Sequence, residues 1–198
     1  DIYLGMGIGT LAPANDKPLE NKLALFNPNG EKSIDYWKAI PVPGGEATIS
    51  ATNGTTIQTT VTAFGTIGAV ICFDMDFPQH LKQASDVDIL LVPSNDWKAI
   101  DPWHTHMSRF RAIEQGFNMV RHTSNGLSVG ADYTGRVISE MDHYTDNEKI
   151  LITQLPTKGT TTMYSIIGDS FLIFCFLLII AVKFQTRNSE LTKKEYEC

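Results

Sequence analysis

Three side chains have the types and spacing needed for nucleophilic chemistry: Cys72, Lys38 and Glu46. A thiolate attacks an acyl carbon best when a base removes its proton and a fixed positive charge meets the developing oxyanion. A carboxylate and a lysine can fill these two roles. The sequence therefore predicts a cysteine nucleophile. Because a lone cysteine after an apolar run is more often a small buried hydrophobic residue, this prediction depends on the context of Cys72.

The context of Cys72 is a predicted strand end. Residues 69–71 are apolar, and two acids and Pro78 follow the cysteine within a few positions. Residues 79–85 predict a short helix, and residues 87–93 predict an apolar strand of the buried parallel type. Because neighbouring parallel strands end at the same edge of a sheet, this βαβ unit would bring the residues after position 93 beside Cys72.

The elements around this unit predict an α/β layered sandwich. Prolines and glycines at 40–46 predict a rigid loop that presents Lys38 and Glu46, and residues 48–62 predict two short strands joined by a turn at Asn53-Gly54. Residues 1–10 predict a strand followed by a glycine-rich turn. Further strands are predicted at 22–26, 34–38, 119–123, 127–131 and 137–141, and a helix at 104–117 ending at Gly116.

Length, charge and cysteine usage limit the possible functions. The chain has 198 residues and a net charge of -6, so nothing in it indicates a nucleic-acid partner. Its three cysteines are widely separated, have no CxxC spacing and cannot all be paired, so no framework of structural disulfides is expected. No cofactor or metal site is predicted. The chain begins abruptly within a predicted strand, without an initiator Met or a signal peptide, which indicates a cut end.

The C-terminal region has a different character. Residues 171–182 contain no polar group stronger than Cys175. Twelve helical residues span only about 18 Å, but extension from Ile166 to Phe184 reaches about 28 Å, close to the roughly 30 Å of a bilayer core. We therefore predict a transmembrane helix at 166–184 rather than a buried core helix. A basic tail at 185–198 would be cytoplasmic, which places the Cys72 domain on the extracytoplasmic side of the cell membrane.

Several segments resemble a known family. Residues 70–74 (VICFD), 77–78 (FP) and 88–95 (DILLVPSN) resemble the nucleophile region of the nitrilase or carbon-nitrogen hydrolase superfamily. Within it, the chain is more similar to the C-terminal portion of the apolipoprotein N-acyltransferases. The segments that carry this closer resemblance are 38–46, 94–97, 106–114, 123–126, 135–138 and 159–169.

The resemblance implies a fold and a set of roles. The fold would be a nitrilase-like αββα sandwich at 1–160, incomplete at its N-terminus and followed by the transmembrane helix. Cys72 would be the nucleophile, Lys38 the oxyanion partner, and Glu46 and Asp74 supporting acids. Cys72 would take a fatty acyl chain from a membrane phospholipid as a thioester. It would then pass the chain to the N-terminal amine of a lipoprotein, as an acyltransferase of lipoprotein biosynthesis without a cofactor.

Substrate-binding residues are expected just after the second strand, at Asn95, Trp97 and Trp103. The two tryptophans could line an acyl entrance or cap the core, and the sequence leaves both possibilities open. Two weaker interpretations concern metals. His104 and His106 could form a metal pair, although three or four convergent ligands are usual, and Asp74 with Asp76 could bind calcium, although no ligand loop continues the pattern.

The chain departs from the family pattern in three places. The general-base glutamate of the family lies upstream of the region that matches the start of this chain. Phe73 and Asp74 stand where Tyr and Glu are usual, and Gly44 replaces an aromatic residue before Gly45-Glu46. Two alternatives to the acyltransferase follow: a nitrilase-type amidase that hydrolyses C–N bonds, and a catalytically inactive nitrilase-like module.

Overall fold

The computed structural model describes the backbone of residues 2–196 and the side chains of residues 2–186. The chain divides into two compact units, with the boundary between Thr162 and Met163. The predicted catalytic residues all belong to the first unit, and the apolar C-terminal segment belongs to the second.

The first sheet is built around β2, Leu19–Phe26, which is flanked by antiparallel β1, Leu4–Leu11, and β3, Lys32–Trp37. The short β4, Ser50–Ala51, pairs with β2 in parallel. The glycine-rich turn predicted in the opening segment is wrong, because its glycines continue β1 in register with β2. At Gly7, an added Cβ would lie 3.0 Å from the Cβ of Pro93, so glycine permits a close approach to the second sheet.

The second sheet has the strand order β10-β9-β8-β7-β6-β5. The three central strands, β6 to β8, are parallel, as the predicted βαβ unit requires, and the outer pairs are antiparallel. The strands are β5 Gln58–Thr62, β6 Gly65–Ala69, β7 Ile89–Asn95, β8 Asn118–Ser124, β9 Leu127–Ala131 and β10 Val137–Asp142.

The two short strands predicted at 48–62 are present as β4 and β5, but they lie in different sheets, so the residues around Asn53-Gly54 connect the sheets and form no hairpin. The hairpin turn lies instead between β5 and β6, where Gly65 has a φ of 117° and the Thr62 hydroxyl accepts a hydrogen bond from Phe64 N–H. A side-chain hydrogen bond and a positive-φ glycine together stabilise this turn. The local Asn-Gly signal was therefore overruled by the pairing of the following strand.

Three helices and two 3-10 helices complete the first unit. Helix α1, Gly45–Ile49, replaces the end of the rigid loop predicted at 40–46, so Glu46 lies on a helical turn. Helix α2, Pro78–Leu81, follows a 3-10 helix at Cys72–Asp76 and leads into another at Lys82–Ala84. Helix α3, Trp103–Gln115, ends at Gly116 as predicted, with a left-handed φ of 83°.

A single apolar cluster fills the space between these elements. It combines side chains of the first sheet, such as Leu23 and Tyr36, with those of the second sheet, such as Leu90 and Val129. Helix α3 packs against β8 and β9. The sequence prediction of an α/β sandwich is therefore confirmed for this unit.

The second unit contains α4, Met163–Ile167, and α5, Ser170–Tyr196. Gly168, with a φ of 53°, separates them, so the continuous helix predicted at 166–184 is interrupted. Among the described residues, no helix combines the length and the apolar content needed to cross a membrane, and the predicted transmembrane helix is not confirmed. The basic side chains of the predicted tail, Arg187, Lys193 and Lys194, lie outside the described residues.

Candidate active site

Cys72 lies immediately beyond β6, as the first residue of a 3-10 helix. The N–H of Val70 donates to the carbonyl of Leu91 at 3.1 Å, so β7 holds the chain almost to the cysteine. Cys72 has a φ of 49°, in the left-handed region that non-glycine residues seldom adopt. Such conformations cost about 1–3 kcal/mol and concentrate at functional sites. The thiol is thus held at a strand end by a strained backbone.

Lys38 and Glu46 form a close ion pair beside this strand end. The Nζ of Lys38 lies 2.6 Å from Oε2 of Glu46, and the two side chains are 3% and 19% exposed. Val42 N–H and the Asn21 amide also donate to the Glu46 carboxylate. Burial opposes its ionisation, but the hydrogen bonds from Lys38 and Val42 outweigh burial and lower the pKa of Glu46. A nearly buried cation is therefore fixed in position by an ionised carboxylate.

A cavity of about 670 Å³ brings five of the predicted site residues together. It is lined by Cys72, Lys38, Glu46, Asn95 and Trp97, along with residues of β1 and β2. Burial raises the pKa of the Cys72 thiol, while the Asn95 carbonyl contact and the charges of Lys38 and Arg121 act in the opposite direction. The thiol is consequently protonated in the resting site, and a base is needed to form the thiolate.

Asp74 occupies a different environment from the other predicted acid. Its buried carboxylate accepts hydrogen bonds from the Tyr36 hydroxyl at 2.8 Å, from Ile40 N–H at 2.8 Å and from Ile71 N–H at 2.9 Å. Burial raises the pKa of Asp74 despite these donors. The carboxylate therefore ties the segment after β3 to the residue before Cys72, and no hydrogen bond from the Cys72 thiol to it occurs among the described residues.

A second cavity, of about 380 Å³, borders the other side of Cys72. Its lining is mostly apolar: Val42, Phe73, Trp97, Ala99, Ile100, Trp103 and Met107, with Cys72, Asp76 and His104. Trp97 is 50% exposed and Trp103 is 72% exposed, so both tryptophans border the cavity rather than cap the core. Cys72, Val42 and Trp97 are common to the two cavities.

The backbone carbonyl of Asn95 contacts Cys72, whereas its side chain contacts the end of β8. Its carbonyl accepts the S–H of Cys72 at 3.8 Å. Its side-chain oxygen accepts hydrogen bonds from the Ser124 hydroxyl at 3.1 Å and from the Asn125 amide at 2.9 Å. The end of β7 is thus fixed to the end of β8, next to the thiol.

Sequence reasoning missed a buried charged cluster on the other side of the thiol. It consists of Asp96, His104 and Arg121, which are 4%, 5% and 0% exposed, together with the partly exposed Asp76. Arg121 Nη2 donates to both Asp96 oxygens at 3.1 and 3.0 Å, and Asp96 Oδ1 lies 3.9 Å from the Cys72 sulfur. An arginine in the middle of a predicted central strand was the available signal, because arginine is rarely buried without a partner.

The metal interpretations do not match this geometry. The carboxylates of Asp74 and Asp76 have different partners, Tyr36 and His104, and His106 contacts Trp103 edge-on. Donor atoms of Cys72, Asp96 and His104 do lie within 4.8 Å of one another. However, Arg121 already binds both Asp96 oxygens, and a guanidinium at that place disfavours a metal cation. We therefore assign no metal ligands here.

The fold and the position of the cysteine define a class of protein. The carbon-nitrogen hydrolase family model matches residues 1–164, and the chain belongs to this family. Solved structures agree with the fold. An amidase from Nesterenkonia sp. superposes with a TM-score of 0.69 at 17% identity, covering 88% of this chain and 67% of that chain. A nitrilase-superfamily protein from Saccharomyces cerevisiae gives 0.62 at 23% identity, covering 71% and 55%.

Within the family, the relatives that match this chain include apolipoprotein N-acyltransferases. That of Haemophilus influenzae is 34% identical over 116 residues, which cover 56% of this chain and 22% of the relative. That of Rickettsia bellii is 28% identical over 192 residues, covering 85% of this chain and 38% of the relative. The resemblance stated from the sequence is confirmed, and the chain spans well under half the length of these relatives.

Proposed function

We propose that this chain is the catalytic part of an N-acyltransferase in which Cys72 carries a fatty acyl group as a thioester. The observation that carries the proposal is the position of Cys72, whose side chain lines both an apolar cavity and a cavity containing the Lys38–Glu46 pair. An acyl group bound to the Cys72 sulfur in one cavity can be attacked by an acceptor that enters through the other cavity. The similarity to apolipoprotein N-acyltransferases supports a phospholipid as the acyl donor and a lipoprotein as the acceptor.

The proposed reaction has two balanced steps. In the first, a general base takes the proton of the Cys72 thiol, and the thiolate attacks an ester carbonyl of the phospholipid. The C–S bond forms, the C–O bond breaks, and the base returns the proton to the released alkoxide. In the second, the N-terminal amine of the lipoprotein attacks the thioester, the C–N bond forms, and the C–S bond breaks. The base takes the proton that the amine loses and returns it to the departing Cys72 thiolate. This is nucleophilic catalysis with a covalent intermediate.

Lys38 and Glu46 have distinct parts in this scheme. Lys38 is the only one of the two that can stabilise the negative oxygen of each tetrahedral intermediate, because it carries the positive charge. Glu46 holds the ammonium group through the 2.6 Å contact, and its own position is fixed by Val42 N–H and the Asn21 amide. A preorganised cation does not have to move when the charge develops. Asp74 supports the same site indirectly, by holding the backbone on both sides of it.

The lining of the cavities suggests which substrate occupies each. Phe73, Ile100 and Met107 give the smaller cavity the apolar surface that an acyl chain requires, and Trp97 and Trp103 lie at its exposed rim. The larger cavity contains the charged and polar groups, including Asn95 and Ser94, and suits the amine acceptor. These assignments make Asn95, Trp97 and Trp103 substrate-binding residues.

We also propose that the second unit attaches the protein to the cell membrane. Most large apolar side chains of α5 between Phe171 and Val182 are about half to two-thirds exposed, for example 66% at Phe171 and 57% at Leu177. Their burial in lipid would remove this surface from water. The predicted topology, with the catalytic unit extracytoplasmic and the C-terminus cytoplasmic, follows from the basic residues after the apolar run.

The first experiment is intact-mass analysis of the membrane-embedded protein, with its full N-terminal sequence, after incubation with phospholipid. We expect a fatty-acyl adduct that hydroxylamine removes, that is absent from Cys72→Ala, and that an added lipopeptide amine discharges. Cys175→Ala is the matched control, because Cys175 is a free cysteine of α5 and lies outside both cavities. It should retain the adduct.

Other outcomes would contradict the proposal. No adduct on a folded protein would indicate an inactive module. Release of ammonia from small amides, without an acyl adduct from phospholipid, would indicate the amidase, the class to which the similar Nesterenkonia structures belong. An adduct that persists in Cys72→Ala would show that another residue is acylated.

A further inference from the structure

We infer that His104 is a positioning residue that sets the reactivity of the Cys72 thiol through Asp96, favouring the thiolate when the imidazole is protonated. The inference rests on the proposed nucleophilic role of Cys72 and adds a second control on that role, independent of Lys38. His104 lies at the start of α3, opposite the end of β7, where its two ring nitrogens reach two different carboxylates.

The geometry of His104 favours a charged imidazole. Nδ1 lies 2.7 Å from Asp96 Oδ1, and Nε2 lies 3.0 Å from Asp76 Oδ1. Ionised carboxylates only accept hydrogen bonds, whereas a neutral imidazole has a single N–H. Both contacts are therefore satisfied only when both nitrogens carry protons. Burial disfavours this charge, but the hydrogen bonds to Asp76 and Asp96 outweigh burial and raise the pKa of His104.

A second arrangement is available when the proton leaves. Nη2 of Arg121 lies 2.8 Å from the same Nδ1, close enough to donate to its lone pair. In that state, Nε2–H still donates to Asp76, while Nδ1 accepts from Arg121 instead of donating to Asp96. One nitrogen thus has an anionic acceptor and a cationic donor within hydrogen-bond distance. The protonation state of His104 selects between them.

The choice affects Cys72 because Asp96 contacts its sulfur. The sulfur of Cys72 lies 3.9 Å from Asp96 Oδ1, the same oxygen that faces His104. With a protonated His104, two cations compensate the negative charge of Asp96. With a neutral His104, Arg121 alone does so, and the less fully compensated charge of Asp96 next to the sulfur disfavours the thiolate. The thiol should therefore ionise at a lower pH when His104 is charged.

The other groups around His104 are fixed in position and do not change the charge near Asp96. Among the described residues, the charged groups facing its ring are Asp76 from the 3-10 helix, Asp96 after β7 and Arg121 on β8. On its own helix, Ser108 donates to the His104 carbonyl and accepts from Arg121 Nε, which fixes the helix and the guanidinium. The hydroxyl of Thr123 accepts from Arg121 Nη1. Arg121 is thus held in place, and the imidazole proton is the variable element.

The first test measures the rate of Cys72 alkylation by iodoacetamide against pH in the purified chain. In His104→Asn, the amide can still donate to Asp96 from near the Nδ1 position, but it carries no charge. We expect the midpoint of the alkylation profile to rise by about one pH unit, which makes alkylation about tenfold slower at neutral pH. His106→Asn, the same change two residues further along α3, should leave the profile unchanged.

The second test covers the possibility that substitution of a buried residue disturbs folding. Asp76→Asn changes the partly exposed end of the cluster, and 15N chemical shifts of labelled histidine report the protonation of each ring nitrogen. We expect the wild-type His104 to remain an imidazolium above the ordinary histidine range, and Asp76→Asn to lower its pKa.

Two results would overturn the inference. One is a neutral His104 at pH 6.5 in the folded wild-type protein. The other is an alkylation profile of folded His104→Asn that coincides with that of the wild type. Neither measurement requires acyl transfer, so failure of the thioester experiment would leave this test readable, and the reverse also holds.

Discussion

At the scale of single residues, the site is governed by charges that are buried in pairs. Lys38 is only 2% exposed, and its ammonium group is compensated by the Glu46 carboxylate at 2.6 Å. Removal of one partner from such a pair leaves an uncompensated charge, which is more damaging than loss of the contact itself. The charge of Lys38 also acts on Cys72, lowering the pKa that burial raises. Lys38 should therefore influence both the resting thiol and the transition state.

Lys38→Met should slow alkylation of Cys72 by about tenfold at neutral pH, because loss of the positive charge raises the pKa of the thiol by roughly one unit. The measurement is the iodoacetamide rate against pH. Lys32→Met is the matched control. Lys32 begins β3, the strand that Lys38 follows, and pairs with Asp35 at 2.6 Å, but the two side chains of this pair are 45% and 38% exposed. An equal effect of the two substitutions would contradict the electrostatic role of Lys38.

The reactive residues of the site could be predicted from the sequence, but the residues that surround and hold them could not. Cys72, Lys38 and Glu46 could be proposed because their chemistry and a family resemblance both pointed to them. The partners of Asp74 could not, because Tyr36 and Ile40 come from a segment more than thirty positions away. Arg121 was hidden for a similar reason. Its partner Asp96 becomes adjacent only when β8 pairs with β7.

At the scale of elements, the ends of strands and helices are fixed by close backbone contacts. Gly116 ends α3 with a φ of 83°, and its carbonyl accepts a hydrogen bond from Thr160 N–H at 2.7 Å. A Cβ at this position would lie 1.7 Å from the Thr160 carbonyl oxygen. Gly30 has almost the same φ, 82°, but a Cβ added at Gly30 would have no other atom within 4 Å. The two glycines separate the cost of backbone conformation from the cost of steric overlap.

Gly116→Ala should therefore be far more destabilising than Gly30→Ala. We expect the free energy of unfolding to fall by about 1 kcal/mol for Gly30→Ala, from the left-handed conformation alone. For Gly116→Ala we expect a loss of about 3 kcal/mol or more, because the backbone must also move. Urea unfolding of the two variants measures the difference. Similar losses would show that Thr160 can move away at little cost.

Element prediction succeeded where burial produced a clear pattern. The apolar strand at β7 and the helix ending at Gly116 were found because an apolar run and a left-handed glycine are local signals. The two strands on either side of Asn53-Gly54 were predicted, but their pairing with each other was wrong, because β5 forms its hairpin with the next strand, β6. The interruption of the C-terminal helix at Gly168 was missed because a single glycine is tolerated within an apolar run.

At the scale of the whole molecule, the chain consists of two units with different surfaces. The first has a continuous apolar core and contains every residue of the candidate site. The second is a helical segment whose large apolar side chains are mostly exposed. We propose that the chemistry belongs to the first unit and membrane attachment to the second. The domains expected from the sequence, at 1–160 and 166–184, stay a prediction.

Truncation after Thr162 tests this division. The remaining unit should keep its circular dichroism spectrum and its rate of Cys72 alkylation, because its core and both cavities are formed without the second unit. Its association with membranes, measured by sedimentation with vesicles, should be lost. The full chain is the control. Sedimentation of the folded truncated chain with vesicles would contradict the proposed role of α5, and unfolding would contradict the independence of the units.

The backbone of Cys72 has a consequence for selection. With a φ of 49°, this position would suit glycine better than any residue with a side chain, by about 1 kcal/mol. Cys72→Gly would thus relieve strain in the folded state while removing the thiol. The proposed nucleophilic role therefore requires a residue that conformational stability alone would not favour at this position. Design methods that optimise only stability would tend to erase the nucleophile from this fold.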